Sequence, residues 1–261
     1  MNVLIKINEK ITAGIFFILL LTAYSLADIK IANDPWREVF KGCWVKKVII
    51  KREDNEFPVY FVKMHPRYVD TKILISSRYG KDTHIVDYLA EKSGAFCAIN
   101  GGYFDEYQKP IGVLISKGNV IQGIPDYGLA SVFCIKNNMP QIIHINDFTL
   151  TNVTEAVQCS PRLINNGQNT RNVHGLNDIA RRSGICVDYS GNIIIYATNT
   201  IFDGLSFNEL RKVLRIKDMN IKSALNLDGG KSTQLYFKYG NDAINIIGYD
   251  FIPVAIGFFK K

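Results

Sequence analysis

The stretch Gly184-Ile185-Cys186-Val187-Asp188-Tyr189-Ser190-Gly191-Asn192-Ile193-Ile194-Ile195-Tyr196-Ala197 decides the fold class. Two apolar runs, Gly184–Asp188 and Asn192–Ala197, flank a short polar turn that contains glycine, which is the signature of a hairpin. Similar short runs recur on both sides of it. Upstream lie Val45–Ile50, Val59–Met64, Lys72–Ser76, Phe96–Ile99, Gly112–Ser116, Ser131–Ile135 and Gln141–Ile145. Downstream lie Ser223–Leu227, Thr233–Phe237, Ala243–Ile247 and Val254–Phe258. Their length and their alternating or continuous apolar character predict strands. Only two segments have helical spacing. Asp82–Lys92 places Ile85, Val86, Leu89 and Ala90 on one side and stops at Gly94. Ser206–Leu214 opens with Ser206 and has Glu209 three residues on, a capping box. Leu205, Phe207, Leu210, Val213 and Leu214 form its predicted buried side. Many strands and few helices predict an α+β domain, with helices packed on one large mixed β-sheet.

Composition narrows the function. The chain has 261 residues, 47% of them hydrophobic, so a sizeable core is available. Only 21% are charged, which excludes a disordered chain. The net charge of +7 suits an acidic ligand or an anionic envelope surface. The basic residues are scattered, and no stretch combines dense positive charge with aromatics, so a nucleic-acid face is not expected. The first 27 residues stand apart: Lys6 and Lys10 precede an uncharged run from Ile11 to Ala27, ending Ser25-Leu26-Ala27 before Asp28. That order reads as a secretory signal peptide cleaved after Ala27. The rival reading is an uncleaved anchor through which the protein would associate with a membrane, since the run is only slightly short of the roughly 20 residues that span a bilayer. Either reading predicts export. Residues 28–56 then form a lead-in strand region and 57–261 the main domain, with no repeats or linker between them. None of the five cysteines lies in a CxxC pair, so a zinc site has no support. Cys97, Cys134 and Cys186 sit in apolar runs and read as buried thiols. Cys43 and Cys159 are available for a disulfide in an oxidising compartment.

Two loops share a design that chemistry can use. Ala98-Ile99-Asn100-Gly101-Gly102-Tyr103-Phe104 and Ala224-Leu225-Asn226-Leu227-Asp228-Gly229-Gly230 each end an apolar strand with a polar side chain and a glycine pair. Glycine is free to take positive φ, and successive amides in such a turn can form an anion-binding nest. The plainer reading is a pair of tight turns. Gly230-Lys231-Ser232-Thr233 imitates the end of a P-loop, but Leu225 occupies the position of the first glycine and a strand follows where a helix is needed. Between the loops, Gln158-Cys159-Ser160-Pro161-Arg162-Leu163 and Ile179-Ala180-Arg181-Arg182-Ser183-Gly184 supply guanidinium groups. Their planar forks match phosphate oxygens, making Arg162 and Arg182 natural clamps.

The ordered set AINGGYF, PIGVLISKG, AVQCSPRLI, ARRSGICVD, FDGLSFNEL and ALNLDGGKSTQLY resembles the phosphodiester glycosidase family over roughly residues 57–259. The resemblance implies hydrolysis of a sugar-1-phosphodiester. It also implies a site built from Asn100, Gly101, Gly102, Tyr103, Arg162, Arg182, Asp228, Gly229 and Gly230, with Lys231 and Ser232 following on the second loop. Lys231, Cys159-Ser160 and Cys186 depart from the family's usual small residues, and Lys231 adds charge beside the pocket. In such a reaction the anion is held by arginines and amides. A carboxylate serves as nucleophile or base, with Asp228 first and Asp105 and Asp203 in reserve. Asn100 joins Asp228 and the arginines as a catalytic candidate. His65, His84, His144 and His174 are too dispersed to suggest a metal cluster, which leaves room only for a carboxylate-bound divalent cation. The expected partner is a sugar phosphate or phosphorylated glycan. Two other readings stay open: an envelope module that binds phosphate-bearing polysaccharide without cutting it, and a phosphodiesterase that cuts the P–O bond.

Overall fold

The computed structural model describes residues 29–125 and 131–261, so the N-terminal signal or anchor reading falls outside the described residues. The largest sheet has nine strands, in the order Lys30–Asn33, Cys43–Arg52, Asn55–Met64, Ile193–Thr198, Ser183–Asp188, Ile221–Asn226, Arg162–Asn165 and Gln168–Asn169, with Arg37–Phe40 paired to Cys43–Arg52. A five-stranded sheet runs Met139–His144, Ser131–Lys136, Val153–Cys159, Leu114–Ser116, Asn119–Gln122. A second runs Asp242–Ile246, Leu235–Tyr239, Cys97–Asn100, Val254–Lys260, Val69–Ile75.

Every pairing among these strands is antiparallel. The single mixed sheet expected from the sequence is therefore replaced by three antiparallel sheets, and the fold is mostly β. The reason is connectivity. Parallel neighbours need a long crossover, usually a helix, and the described residues hold only two α-helices, Val86–Ser93 and Phe207–Leu214.

The hairpin at Tyr189-Ser190-Gly191 forms, pairing Ser183 with Ala197 through Val187 with Ile193. Its second strand reads Ile-Ile-Ile-Tyr-Ala rather than alternating because the nine-stranded sheet is covered on both faces. Ile193 and Ile195 join a cluster with Val62, Ile99, Phe133 and Ile256, where the large sheet meets the two smaller ones. Ile194 and Tyr196 point the other way, into a cluster with Phe61, Phe207, Leu210 and Val213 of the capped helix. That helix has the predicted capping box: Ser206 Oγ accepts from the Glu209 amide, and the Glu209 carboxylate accepts from the Ser206 amide at 2.8 Å. Fully burying each such aliphatic or aromatic side chain contributes about 1.5–3 kcal/mol.

The first helix begins at Val86 instead of Asp82. His84 is held extended by a bridge to Ile252, and the side chain of Gln234 accepts from the Val86 amide at 2.9 Å, so a distant residue starts the helix. Gly94, at φ 77°, ends it as expected. Sequence reading passes over the strands Val153–Cys159 and Arg162–Asn165. The first carries Glu155 and Gln158, both buried. Glu155 accepts from the Ile73 and Lys117 amides at 2.8 and 3.0 Å, and Gln158 accepts from Val113 at 2.8 Å. Polar side chains here satisfy backbone groups of neighbouring segments, and that breaks the apolar pattern. All five cysteines are buried and free, so Cys43 and Cys159 are not bridged.

Candidate active site

The strands Cys97–Asn100 and Ile221–Asn226 end side by side, and the two glycine loops that follow them meet. The Asp228 amide donates to the Gly101 carbonyl at 3.2 Å. The Asp228 carbonyl accepts from Asn100 Nδ2 at 2.7 Å and from Ser183 Oγ at 2.8 Å. Asn100 Oδ1 accepts in turn from the Gln234 amide at 3.1 Å. Asn100 is fully buried with both ends of its amide occupied. Its assignment as a catalytic group is therefore corrected: it ties the two loops together and does not line the cavity beside them.

The glycine pairs also differ from the expected anion nest. The Gly101 amide donates to Val254 and the Gly230 amide to Arg181, each at 2.8 Å. The Gly229 amide is bonded to the Asp228 carboxylate. These amides are already occupied within the protein, so Gly101, Gly229 and Gly230 do not present them to a ligand. Glycine is needed here for close approach instead. A Cβ on Gly101 would lie 2.8 Å from the Val254 carbonyl oxygen, and one on Gly102 would overlap that of Gln158.

A cavity of about 820 Å³ opens beside the loops, lined by Tyr103, Arg162, Arg171, His174, Asp178 and Arg182 among others. Arg162 follows Ser160-Pro161 at the start of its strand. Its side chain forms no ion pair among the described residues, and its buried Nε has no hydrogen-bond partner. Burial lowers its pKa, opposed by the charge of Asp147. Arg182 is held more tightly. Nε donates to the Leu205 carbonyl at 3.0 Å, Nη2 to that of Asp178 at 2.5 Å, and the guanidinium lies 3.8 Å from the centre of the Phe207 ring. It too has no carboxylate partner among the described residues. Both stay charged, because an arginine guanidinium does not lose its proton in proteins.

Tyr103 links this cavity to Asp228. Its hydroxyl donates to the Ser160 carbonyl at 2.7 Å. Burial pushes its phenol pKa up, with Cys159 and Asp228 adding to the push and Arg182 opposing it. Asp228 itself is part-buried and does not line the cavity. Burial pushes its carboxyl up to about 6; bonds from Ser232 and the Gly229 amide pull it back, and nearby Asp250 raises it again. Ser232 thus serves the carboxylate, while the Lys231 side chain is exposed and its carbonyl accepts from Tyr249 and Asp250. The reserve carboxylates have structural roles. Asp105 Oδ1 accepts from the Tyr107 and Lys109 amides at 2.9 and 2.8 Å, a turn motif. Asp203 pairs with Arg52 at 3.1 Å.

A family model described as phosphodiester glycosidase matches residues 93–259. The chain belongs to the phosphodiester glycosidase family. Among solved structures, the catalytic domain of zebrafish N-acetylglucosamine-1-phosphodiester alpha-N-acetylglucosaminidase is similar in fold, with TM-score 0.67 and 16% identity, covering 92% of this chain and 91% of that one. A hypothetical protein from Synechocystis has TM-score 0.63 and 18% identity, covering 90% of this chain and 68% of that one. Among curated proteins, no sequence matches.

In this member of the family, Arg171 and Asp178 reach the cavity without any signal in the sequence, and His144 and His174, dispersed along the chain, meet there as well. They come from the connections around the strands Met139–His144 and Gln168–Asn169, and only packing brings them to Arg162 and Arg182. Arg181 has an unexpected supporting role outside the cavity lining. It is buried, its Nη2 donates to the Thr233 and Ile247 carbonyls at 3.1 and 2.7 Å, and it pins the loop that carries Asp228. Among the described residues no group of three or more His, Cys, Asp or Glu side chains is placed to hold a metal ion.

Proposed function

We propose that the chain hydrolyses the glycosidic bond of a sugar-1-phosphodiester, in cell-envelope or exopolysaccharide metabolism. One observation carries the reading: Arg162 and Arg182 share a cavity wall with Tyr103, and neither has a carboxylate partner among the described residues. Unpaired, partly desolvated guanidinium groups are matched to an oxyanion, and they strengthen as water leaves the site. They hold the phosphodiester and stabilise it as it departs. The bond between the anomeric carbon and oxygen breaks with its electron pair going to the phosphate, so no strong acid is required. Water attacks the sugar carbon directly or after a carboxylate has done so. We assign the carboxylate role, as nucleophile or as base for water, to Asp228, which stands outside the cavity lining near Tyr103 and whose pKa of about 6 leaves it mostly ionised at neutral pH. The products are the free sugar and a phosphomonoester.

The test is incubation of the purified chain with a panel of sugar-1-phosphodiesters, N-acetylglucosamine among the sugars, in ¹⁸O-labelled water. Label in the released sugar is the expected result. Label in the phosphate would identify a phosphodiesterase, and tight binding without turnover would identify a binding module. Export belongs to the same proposal and rests on the Ile11–Ala27 run and its Ser25-Leu26-Ala27 ending. Protein recovered from its host should begin at or near Asp28, and a full-length cytoplasmic product would refute export.

A further inference from the structure

We infer that the cavity takes a substrate with a second oxyanion group beside the scissile phosphodiester, and that the wall from Thr170 to Gly175 receives it through Arg171. The inference rests on the glycosidase reading and specifies its substrate class. A phosphodiester carries one negative charge, which Arg162 and Arg182 are enough to match. The cavity lining nevertheless gathers a third guanidinium, Arg171, beside the imidazoles of His144 and His174, with Asp178 the one acid in that lining and Asp147 acting on Arg162 from outside it. None of the three arginines forms an ion pair among the described residues. Like charges around one opening repel, and the arrangement attracts a ligand in proportion to the negative charge it brings.

Size and anchoring agree with the charge. At about 820 Å³ the cavity lies toward the upper end for small-molecule sites, more than one sugar phosphate needs. The wall is pinned on both sides. The Thr170 amide donates to Leu163 at 3.0 Å, and the Thr170 carbonyl accepts from the largely buried Arg211 at 2.6 Å. Val173 is buried three residues further on. Arg171 is therefore carried on a held segment rather than a loose one, and the hydroxyl of Thr170 beside it is buried without a partner. A guanidinium fork fits phosphate and carboxylate alike. The second group is either the next phosphate of a sugar-phosphate chain or a uronic-type carboxylate.

Three N-acetylglucosamine-1-phosphodiesters of glycerol separate these outcomes: one with a free terminal hydroxyl, one phosphorylated there, and one oxidised there to a carboxylate. Binding is measured by calorimetry and turnover by sugar release. The expected result is that the protein binds at least one doubly anionic probe about tenfold more tightly than the hydroxyl probe, a factor equal to ~1.4 kcal/mol. Arg171→Gln should erase most of that preference. Its exposed position lets the fold survive, which melting temperature verifies. Preference for phosphate identifies a chain of successive phosphodiesters, and preference for carboxylate identifies an acidic glycan. Equal affinity for all three probes, equal losses for all three in Arg171→Gln, or no binding of any overturns the inference. Preference without hydrolysis would remove the glycosidase reading and leave the subsite. Hydrolysis without preference would do the reverse.

Discussion

Asp228→Asn separates a residue kept for chemistry from one kept for the fold. The folded carboxyl stands at about 6 against an ordinary 3.8, mainly because it is buried. For an acid whose pKa is raised in the folded state, the native protein binds the proton more tightly than the unfolded chain does. Below 3.8 both states are protonated and the difference contributes nothing. Between 3.8 and 6 stability falls with rising pH, and above 6 the penalty is complete. A rise from 3.8 to about 6 corresponds to ~3 kcal/mol. Asparagine carries no charge to desolvate, but its single acceptor oxygen matches Ser232 and the Gly229 amide less well, a loss of ~1 kcal/mol. The variant should thus gain ~2 kcal/mol at pH 8, a rise of roughly 4–8 °C in melting temperature for a chain of this size. Near pH 4 it should melt at or below the parent. Turnover of a sugar phosphodiester at pH 8 should fall by orders of magnitude with little change in affinity. Calorimetric melting at pH 4, 6 and 8 beside a turnover assay reads both quantities. A variant that melts lower at pH 8, or with the same offset at every pH, refutes the assignment of a carboxylate destabilised by burial. Full activity in the folded variant moves the catalytic role to Asp178.

Other substitutions test other parts of the site. Arg162→Ala removes a partly desolvated cation that has no carboxylate partner, so thermal melting should hold while kcat/KM falls roughly 10–100-fold, chiefly through KM; a loss confined to kcat would show that the clamp acts only in the transition state. Asn100→Ala leaves the Gln234 amide unpaired and should destabilise by about 1–3 kcal/mol in denaturant melts, with activity falling because the Asp228 loop is no longer tied. Gly102→Ala drives a methyl group into the Gln158 carbonyl and should yield little soluble protein, whereas Gly230→Ala has open space around its Cβ and should cost about 1 kcal/mol, for its positive φ alone; equal yields of the two variants would contradict the close packing of the loops.

The motifs and the local structure were legible because both depend on neighbours in the chain. A glycine turn between apolar runs makes the Ser183–Thr198 hairpin, and Ser206 with Glu209 caps a helix, whatever surrounds them. The ordered motifs AINGGYF, PIGVLISKG, AVQCSPRLI, ARRSGICVD, FDGLSFNEL and ALNLDGGKSTQLY likewise carry the resemblance to the family. Tertiary packing decided what those residues do. Asn100 and Asp228 are 128 positions apart, and only the pairing of their strands with the rest of each sheet turns Asn100 from a candidate catalyst into a tie. The amides of Gly101 and Gly230 look free for an anion in sequence, yet Val254 and Arg181 take them. The strand Val153–Cys159 hides its character behind Glu155 and Gln158, whose partners lie on other segments. Arg171 and His174 reach the cavity from a connection with no motif at all. Periodicity and turn chemistry report the energetics of a few adjacent residues. The destination of a buried polar group depends on which distant backbone it must satisfy, and that is settled only when the sheets pack.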